Sequence, residues 1–147
     1  MPFKINIGTK QGKTYKLETE SEALVGKALG EVIKGKDVSP SLDGYEFEIT
    51  GTSDISGFTS MKEVEGIGLK KTLLSYGKGM HKRSKKEGKK KRSNPTPGGL
   101  RLRKTVRGKI ISNAIVQINL KPTKEGSKKL SEIFPDQNKA EAPVEAN

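Results

Sequence analysis

The segment between residues 77 and 99 limits the fold of this chain more than any other part of the sequence. It contains no apolar residue except Met80, and it lies mid-chain with apolar, strand-like sequence on both sides. A segment of this composition cannot join a hydrophobic core, and it is longer than an ordinary connection. The core must therefore be built from the flanking parts, with this basic loop projecting from it.

The net charge of +12 is concentrated in and around this loop. Residues 70–109 hold sixteen Lys or Arg and one acid, Glu87, whereas the rest of the chain holds thirteen bases and sixteen acids. Cations held this close repel one another unless a polyanion neutralises them. The charge pattern therefore predicts a slightly acidic body that carries a nucleic-acid-binding surface.

Alternation of apolar and polar residues predicts most of the structure. Residues 3–8 and 13–18 are typical of a β-hairpin, and residues 45–51 of a strand with Tyr45, Phe47 and Ile49 on one face. Further strands are predicted within 31–38, 69–77, 100–106 and 109–121. Short helices are predicted over 19–30, where Thr19 and Glu22 suggest a capping box, and over 123–134.

These elements predict a mainly β fold, a small β-barrel with one or two short helices, a long basic loop and a disordered C-terminal tail. We expect one domain over residues 1–134, including the basic loop 77–99, and a tail over 135–147.

Several kinds of site are excluded or disfavoured. The stretch "GTKQGKT" has one residue too few between its glycines for a P-loop, and a strand follows it. His81 is the only histidine and cysteine is absent, so we expect no metal site, cofactor or small-molecule substrate, and no enzyme activity. No apolar run is long enough to be a signal or to cross a bilayer, which predicts a soluble, intracellular protein with no membrane partner.

The cations after the loop lie on predicted strand. There Arg101 and Arg103 share one face while Leu100 and Leu102 share the other, so one element can pack inward and present guanidinium groups outward. RNA is favoured over DNA because the sequence has no helix-turn-helix, zinc finger or basic zipper.

The stretch "LLSYGKGMHKRSKKEGKKKRS", followed by "LRLRKTVRGKIIS", resembles the eukaryotic-type small-subunit ribosomal protein six family, in its short, archaeal form. "GFTSMKEVEG" resembles the "GFPMK" loop of that family, with one extra residue and no proline. The likeness spans about residues 3–122. It implies a structural, non-catalytic β-barrel protein of the cytoplasmic ribosome, embedded in small-subunit ribosomal RNA beside other small-subunit proteins.

The charge pattern and the resemblance together predict a set of RNA-binding cations. They are Lys62, Lys78, Lys82, Arg83, Lys85, Lys86, Lys89, Lys90, Lys91, Arg92, Arg101, Arg103, Lys104, Arg107 and Lys109.

Three other functions remain open at this point. The main alternative is an RNA-binding ribosome-assembly or translation factor that associates transiently with the subunit. A DNA-compacting protein would share the charge pattern, and an RNA-directed enzyme would need a catalytic set that the sequence does not offer.

Overall fold

The part of the chain that the structure describes, residues 2–81 and 98–138 of this computed structural model, is mainly β, as predicted. Its strands are β1 (Phe3–Gly8), β2 (Thr14–Thr19), β3 (Val32–Lys34), β4 (Glu46–Asp54), β5 (Leu69–Ser75), β6 (Arg101–Arg107) and β7 (Ile115–Lys124). Its helices are the single turns α1 (Gly35–Val38) and α2 (Leu130–Ile133), and two 3₁₀ turns cover Glu22–Leu24 and Pro40–Leu42.

Five strands form one sheet in the order β2-β1-β7-β4-β3. The predicted hairpin is confirmed, because β1 and β2 pair antiparallel from Phe3 opposite Thr19 to Gly8 opposite Thr14. On its other side, β1 pairs in parallel with β7. Alternation buries Phe3, Ile5 and Ile7 on the inner face, where they pack in the main core with side chains from β4 and β7.

Strand β4 pairs with β7 along one edge and with two different segments along the other. Its register with β7 shifts between Ile49 and Gly51, so Thr50 is the extra residue of a β-bulge. The first part of β4 pairs with β3. Near its end, the Ser60 N–H donates to the Thr52 carbonyl over 3.1 Å, so residues 58–61 take the place of β3 there.

Strands β5 and β6 form a separate two-stranded antiparallel ribbon. Residues 58–61 connect this ribbon to β4: the Arg107 N–H donates to the Thr59 carbonyl, and the Met61 N–H donates to the Arg107 carbonyl. Within residues 2–81 and 98–138 the two sheets are not closed into a barrel, so the predicted barrel is not confirmed. Alternation shows which side chains are buried, but it does not show which strand edges meet.

The predicted helix over residues 19–30 is wrong. Thr19 ends β2, and only the 3₁₀ turn at Glu22–Leu24 forms, without a side-chain cap. Gly26 has a φ of 88°, a left-handed conformation that ends helices. The Gly26 N–H instead donates to the Ile111 carbonyl over 2.9 Å. Tertiary pairing with residues 109–111 therefore overrides the local helical pattern.

The predicted strand over residues 31–38 is only partly observed. It ends at Lys34, and α1 begins at Gly35. A Cβ on Gly35 would lie 1.9 Å from the Leu42 carbonyl oxygen, so the chain can turn here only with glycine.

The beginning of the predicted tail is bound to the domain. The Gln137 amide accepts from the Lys16 N–H over 2.6 Å and donates to the Lys16 carbonyl over 2.7 Å. The Asn138 amide donates to the Thr14 carbonyl. These amides satisfy backbone groups along the outer edge of β2, as a further strand would. Residues 139–147 of the predicted tail lie outside the described residues.

Candidate nucleic-acid interface

The β5–β6 ribbon pairs seven residues of each strand without a register shift, from Leu69 opposite Arg107 to Ser75 opposite Arg101. Directly paired residues share a face, so Arg101, Arg103 and Lys71 lie on one side. The other side carries Val106, which is fully buried. The predicted division of this strand into a cationic face and an inward face is only partly observed, because Lys104 lies exposed on the side of Val106 and Leu102 is only half-buried.

Five cations of the ribbon have exposed side chains. They are Lys70, Lys71, Arg101, Arg103 and Lys104. Among residues 2–81 and 98–138, no carboxylate forms an ion pair with any of them. Because their charge is not neutralised by the described part of the protein, the ribbon presents a concentrated positive surface.

Arg107 differs from the other ribbon cations because its guanidinium group is bound within the protein. Its Nε and Nη2 donate to Oδ2 of Asp54 over 3.0 and 2.9 Å, and its Nη1 donates to the Ile67 carbonyl over 3.0 Å. The Asp54 side chain is 2% exposed and that of Arg107 is 14% exposed. This ion pair fastens the end of β6 to the end of β4, so the ribbon is held in one orientation.

Asp54 also accepts a hydrogen bond from the Phe58 N–H, over 2.9 Å. Burial alone would raise the pKa of Asp54, but the hydrogen bonds from Arg107 and Phe58 and the guanidinium charge outweigh burial and lower this pKa. The carboxylate is therefore ionised in the folded protein at neutral pH.

The lowered pKa of Asp54 predicts a specific acid sensitivity. Its contribution to stability is complete above the unfolded pKa, about 3.9, and is lost as the pH falls through the lower folded pKa. We expect the stability difference between wild type and Asp54→Asn to shrink in denaturant titrations as the pH falls below about 4. Asp43→Asn is the matched control, because the Asp43 carboxylate is 64% exposed in its ion pair with Lys36. An Asp54→Asn difference that is constant with pH would contradict the prediction.

The segment that joins β4 to the ribbon contains a second buried polar contact. The Thr52 hydroxyl donates to the Ser60 hydroxyl over 2.6 Å, and both residues are buried. The sequence of this loop shows an extra residue relative to the "GFPMK" pattern, but it does not indicate that Thr52 and Ser60 form a buried hydrogen bond. Asp54, Thr52 and Ser60 were missed because polar residues in a turn-rich stretch give no signal of burial.

The glycine that ends "RKTVRG" has a packing role. A Cβ on Gly108 would lie 1.9 Å from the Gly66 carbonyl oxygen. The Gly108 N–H donates to the Gly68 carbonyl and the Ile110 N–H donates to the Gly66 carbonyl. Backbone from residues 66–68 thus contacts the end of β6 at a distance that only glycine permits.

Lys109 follows this glycine and is also paired. Its Nζ donates to Glu65 Oε1 over 2.9 Å. Like Arg107, it is one of the predicted RNA-binding residues that the structure places in an ion pair.

Lys62 and Lys78 come together on the outer side of β4. The Lys78 Nζ donates to the Thr50 carbonyl over 3.1 Å, and the Lys62 Nζ lies 3.9 Å from Glu48 Oε1. Burial and then the charge of Lys62 lower the pKa of Lys78.

The predicted RNA-binding set is thus divided. Arg101, Arg103 and Lys104 lie exposed on the ribbon, with Lys104 on the opposite face from the two arginines. Lys62 and Lys78 form a second cluster, and Arg107 and Lys109 are paired internally. The remaining predicted residues lie outside the described part of the chain: Lys82, Arg83, Lys85, Lys86, Lys89, Lys90, Lys91 and Arg92.

Residues 2–81 and 98–138 contain no group of three or more His, Cys, Asp or Glu side chains that could hold a metal ion. They also contain no helix with the length and apolar character needed to span a bilayer.

Comparison with known proteins places the chain among ribosomal proteins. The family profile described as ribosomal protein S6e matches residues 3–135. A protein of Methanococcus maripaludis strain C7, named small ribosomal subunit protein eS6, is 39% identical over 128 residues, which are 86% of this chain and 91% of the relative. Proteins of the same name from Nanoarchaeum equitans and Archaeoglobus fulgidus are 40% and 37% identical, over 85% and 91% of this chain and 82% and 96% of theirs.

Proposed function

Because this chain belongs to the ribosomal protein S6e family, we propose that it is a structural constituent of the small ribosomal subunit that binds folded ribosomal RNA. Its place in the cell is then the cytoplasmic ribosome, beside neighbouring small-subunit proteins. The RNA contact is made by the β5–β6 ribbon together with the adjoining basic loop. No catalytic step is part of this function.

The observation that carries the proposal is that the cationic ribbon is held in one orientation against the rest of the protein. Its exposed Lys and Arg side chains have no carboxylate partner among the described residues, so phosphates can supply the missing counter-charge. The Arg107–Asp54 ion pair orients the ribbon before RNA arrives. Less conformational freedom is then lost on binding than with a free terminal arm.

The second candidate is an assembly or translation factor that uses the same surface but leaves the subunit. The two functions differ in how long and how firmly the protein stays bound. A constituent enclosed by folded RNA keeps its packing contacts when salt screens its phosphate contacts.

A sedimentation experiment separates these two functions. We expect the full chain to remain with purified small subunits through a high-salt wash and a sucrose gradient. The high-salt wash removes proteins that are held by charge alone, so an added basic protein such as lysozyme serves as the control. Loss of the chain together with lysozyme would favour the transient factor.

A further inference from the structure

A cleft of about 500 Å³ opens beside the ribbon. Its lining comes from the turn at residues 56–59, from the strands β5 and β6, and from Gly79 and His81 just after β5. The cationic side chains in the lining are Lys71, Arg103 and Lys104, and the ring side chains are Phe58 and His81. This volume lies within the usual range of small-ligand pockets, about 300–1,000 Å³.

One wall of the cleft is the edge of β6 that faces away from β5. Both backbone groups of Arg107 point away from β5, because they bond to Thr59 and Met61. Backbone direction alternates along a strand, and β6 has no register shift. The N–H and C=O groups of Thr105 and Arg103 therefore point away from β5 as well, toward the cleft. Among the described residues, no hydrogen bond to these groups is found.

The position of the opposite wall is set by the same contacts that orient the ribbon. The Phe58 N–H donates to Asp54, and the Asp54 N–H donates to the Phe58 carbonyl. At Gly79, which has a φ of 80°, a Cβ would lie 3.2 Å from the Thr59 hydroxyl oxygen and 3.3 Å from a Leu74 methyl group. Because glycine has no Cβ, the backbone at Gly79 can lie close to both Thr59 and Leu74. These contacts within the protein hold the walls of the cleft in position.

These groups match the chemistry of one RNA nucleotide. Phosphate is neutralised by lysine and arginine, a base stacks on an aromatic ring, and the edge of a base needs hydrogen-bond donors and acceptors. A paired stretch of RNA would offer no free base face to an aromatic ring, because its bases are stacked inside the helix. Phosphate binding alone would use the cations but would leave the aromatic ring and the strand edge unused.

We propose that this cleft binds a single unstacked nucleotide of RNA, with its base on the Phe58 ring, its polar edge against the backbone of Thr105 and Arg103, and its phosphate near Lys71 and Lys104. This inference rests on the proposed RNA binding and adds to it the recognition of an unpaired base. The site reads a bulge or loop, whereas the ribbon cations outside the cleft lining, Lys70 and Arg101, bind phosphates of any sequence.

The test compares synthetic hairpin RNAs that share one stem. One hairpin is fully paired, and four others each carry one unpaired A, C, G or U in the stem. With the full chain, we expect at least one bulged hairpin to bind about fivefold more tightly than the paired hairpin, the lower limit for stacking one base on an aromatic ring. Phe58→Leu should remove this preference and Phe58→Tyr should keep it. Arg101→Gln, which lies outside the cleft lining, should weaken binding of paired and bulged hairpins alike.

A second measurement on the wild-type chain does not depend on the stability of any variant. The unpaired position is replaced by 4-thiouridine, and the complex is irradiated and digested. A cross-link in the peptide that contains Phe58 or His81 is the expected result. Equal binding of paired and bulged hairpins, an unchanged preference in Phe58→Leu, or cross-links elsewhere only would overturn the nucleotide site. If the chain showed no salt-dependent binding to any of the hairpins, the proposed RNA binding itself would be overturned.

Discussion

A triple variant in which Arg101, Arg103 and Lys104 are each replaced by Gln should bind RNA more weakly, and its binding should depend less on salt. If the wild-type chain neutralises about 6–10 phosphates, its affinity for in-vitro transcribed small-subunit ribosomal RNA should fall roughly 10³–10⁵-fold between about 50 and 200 mM salt. Each lost phosphate contact lowers the slope of log affinity against log salt by about 0.7–0.9, so the triple variant should lose about 2–3 from that slope. Filter binding over a salt series measures both quantities.

A control of equal charge separates a local contact from the effect of net charge. Lys36, Lys124 and Lys128 are exposed, and Lys124 pairs with Glu46 at the opposite end of β4 from Asp54. Replacing these three with Gln removes the same charge from the far side of the protein. We expect their salt slope to stay close to that of wild type. If both triple variants changed the slope equally, the ribbon would have no special part in binding.

Arg107→Met should greatly lower the free energy of unfolding, although it changes little of the exposed surface of the protein. The substitution leaves the Asp54 carboxylate, with its side chain 2% exposed, without its cation. Removing one partner of a buried ion pair costs about 3–5 kcal/mol, because the remaining charge is uncompensated. Urea unfolding of the full chain measures this loss.

Two further variants identify the cause of that loss. Lys109→Met breaks an ion pair whose partner, Glu65, is 81% exposed, and such surface pairs contribute about 0–1 kcal/mol. Adding Asp54→Asn to Arg107→Met removes the uncompensated charge, so the double variant should be more stable than Arg107→Met alone. A loss for Arg107→Met as small as that for Lys109→Met would contradict the structural role assigned to this pair.

The strands were largely predictable because their signal is local. Residues 45–51 alternate so regularly that the burial of Tyr45, Phe47 and Ile49 follows from the sequence alone. The helix over 19–30 was predicted from equally local signals and is absent, because residues 26–29 pair with residues 109–111 far along the chain. A barrel was predicted because many short strands favour closure, whereas the described strands form two sheets that are joined through residues 58–61 and through the Arg107–Asp54 ion pair.

The amino-acid sequence by itself determined where the positive charge is concentrated and which faces of the strands are apolar, because both properties depend on residues close together in the chain. Only the tertiary structure decided which cations remain without a partner. Arg107 and Arg101 look alike in "RLRKTVR", but Arg107 reaches a buried carboxylate 53 positions earlier in the chain. That pairing depends on how β4, residues 58–61 and β6 meet in space, and no local pattern reports it. The same meeting of distant segments creates the cleft beside the ribbon.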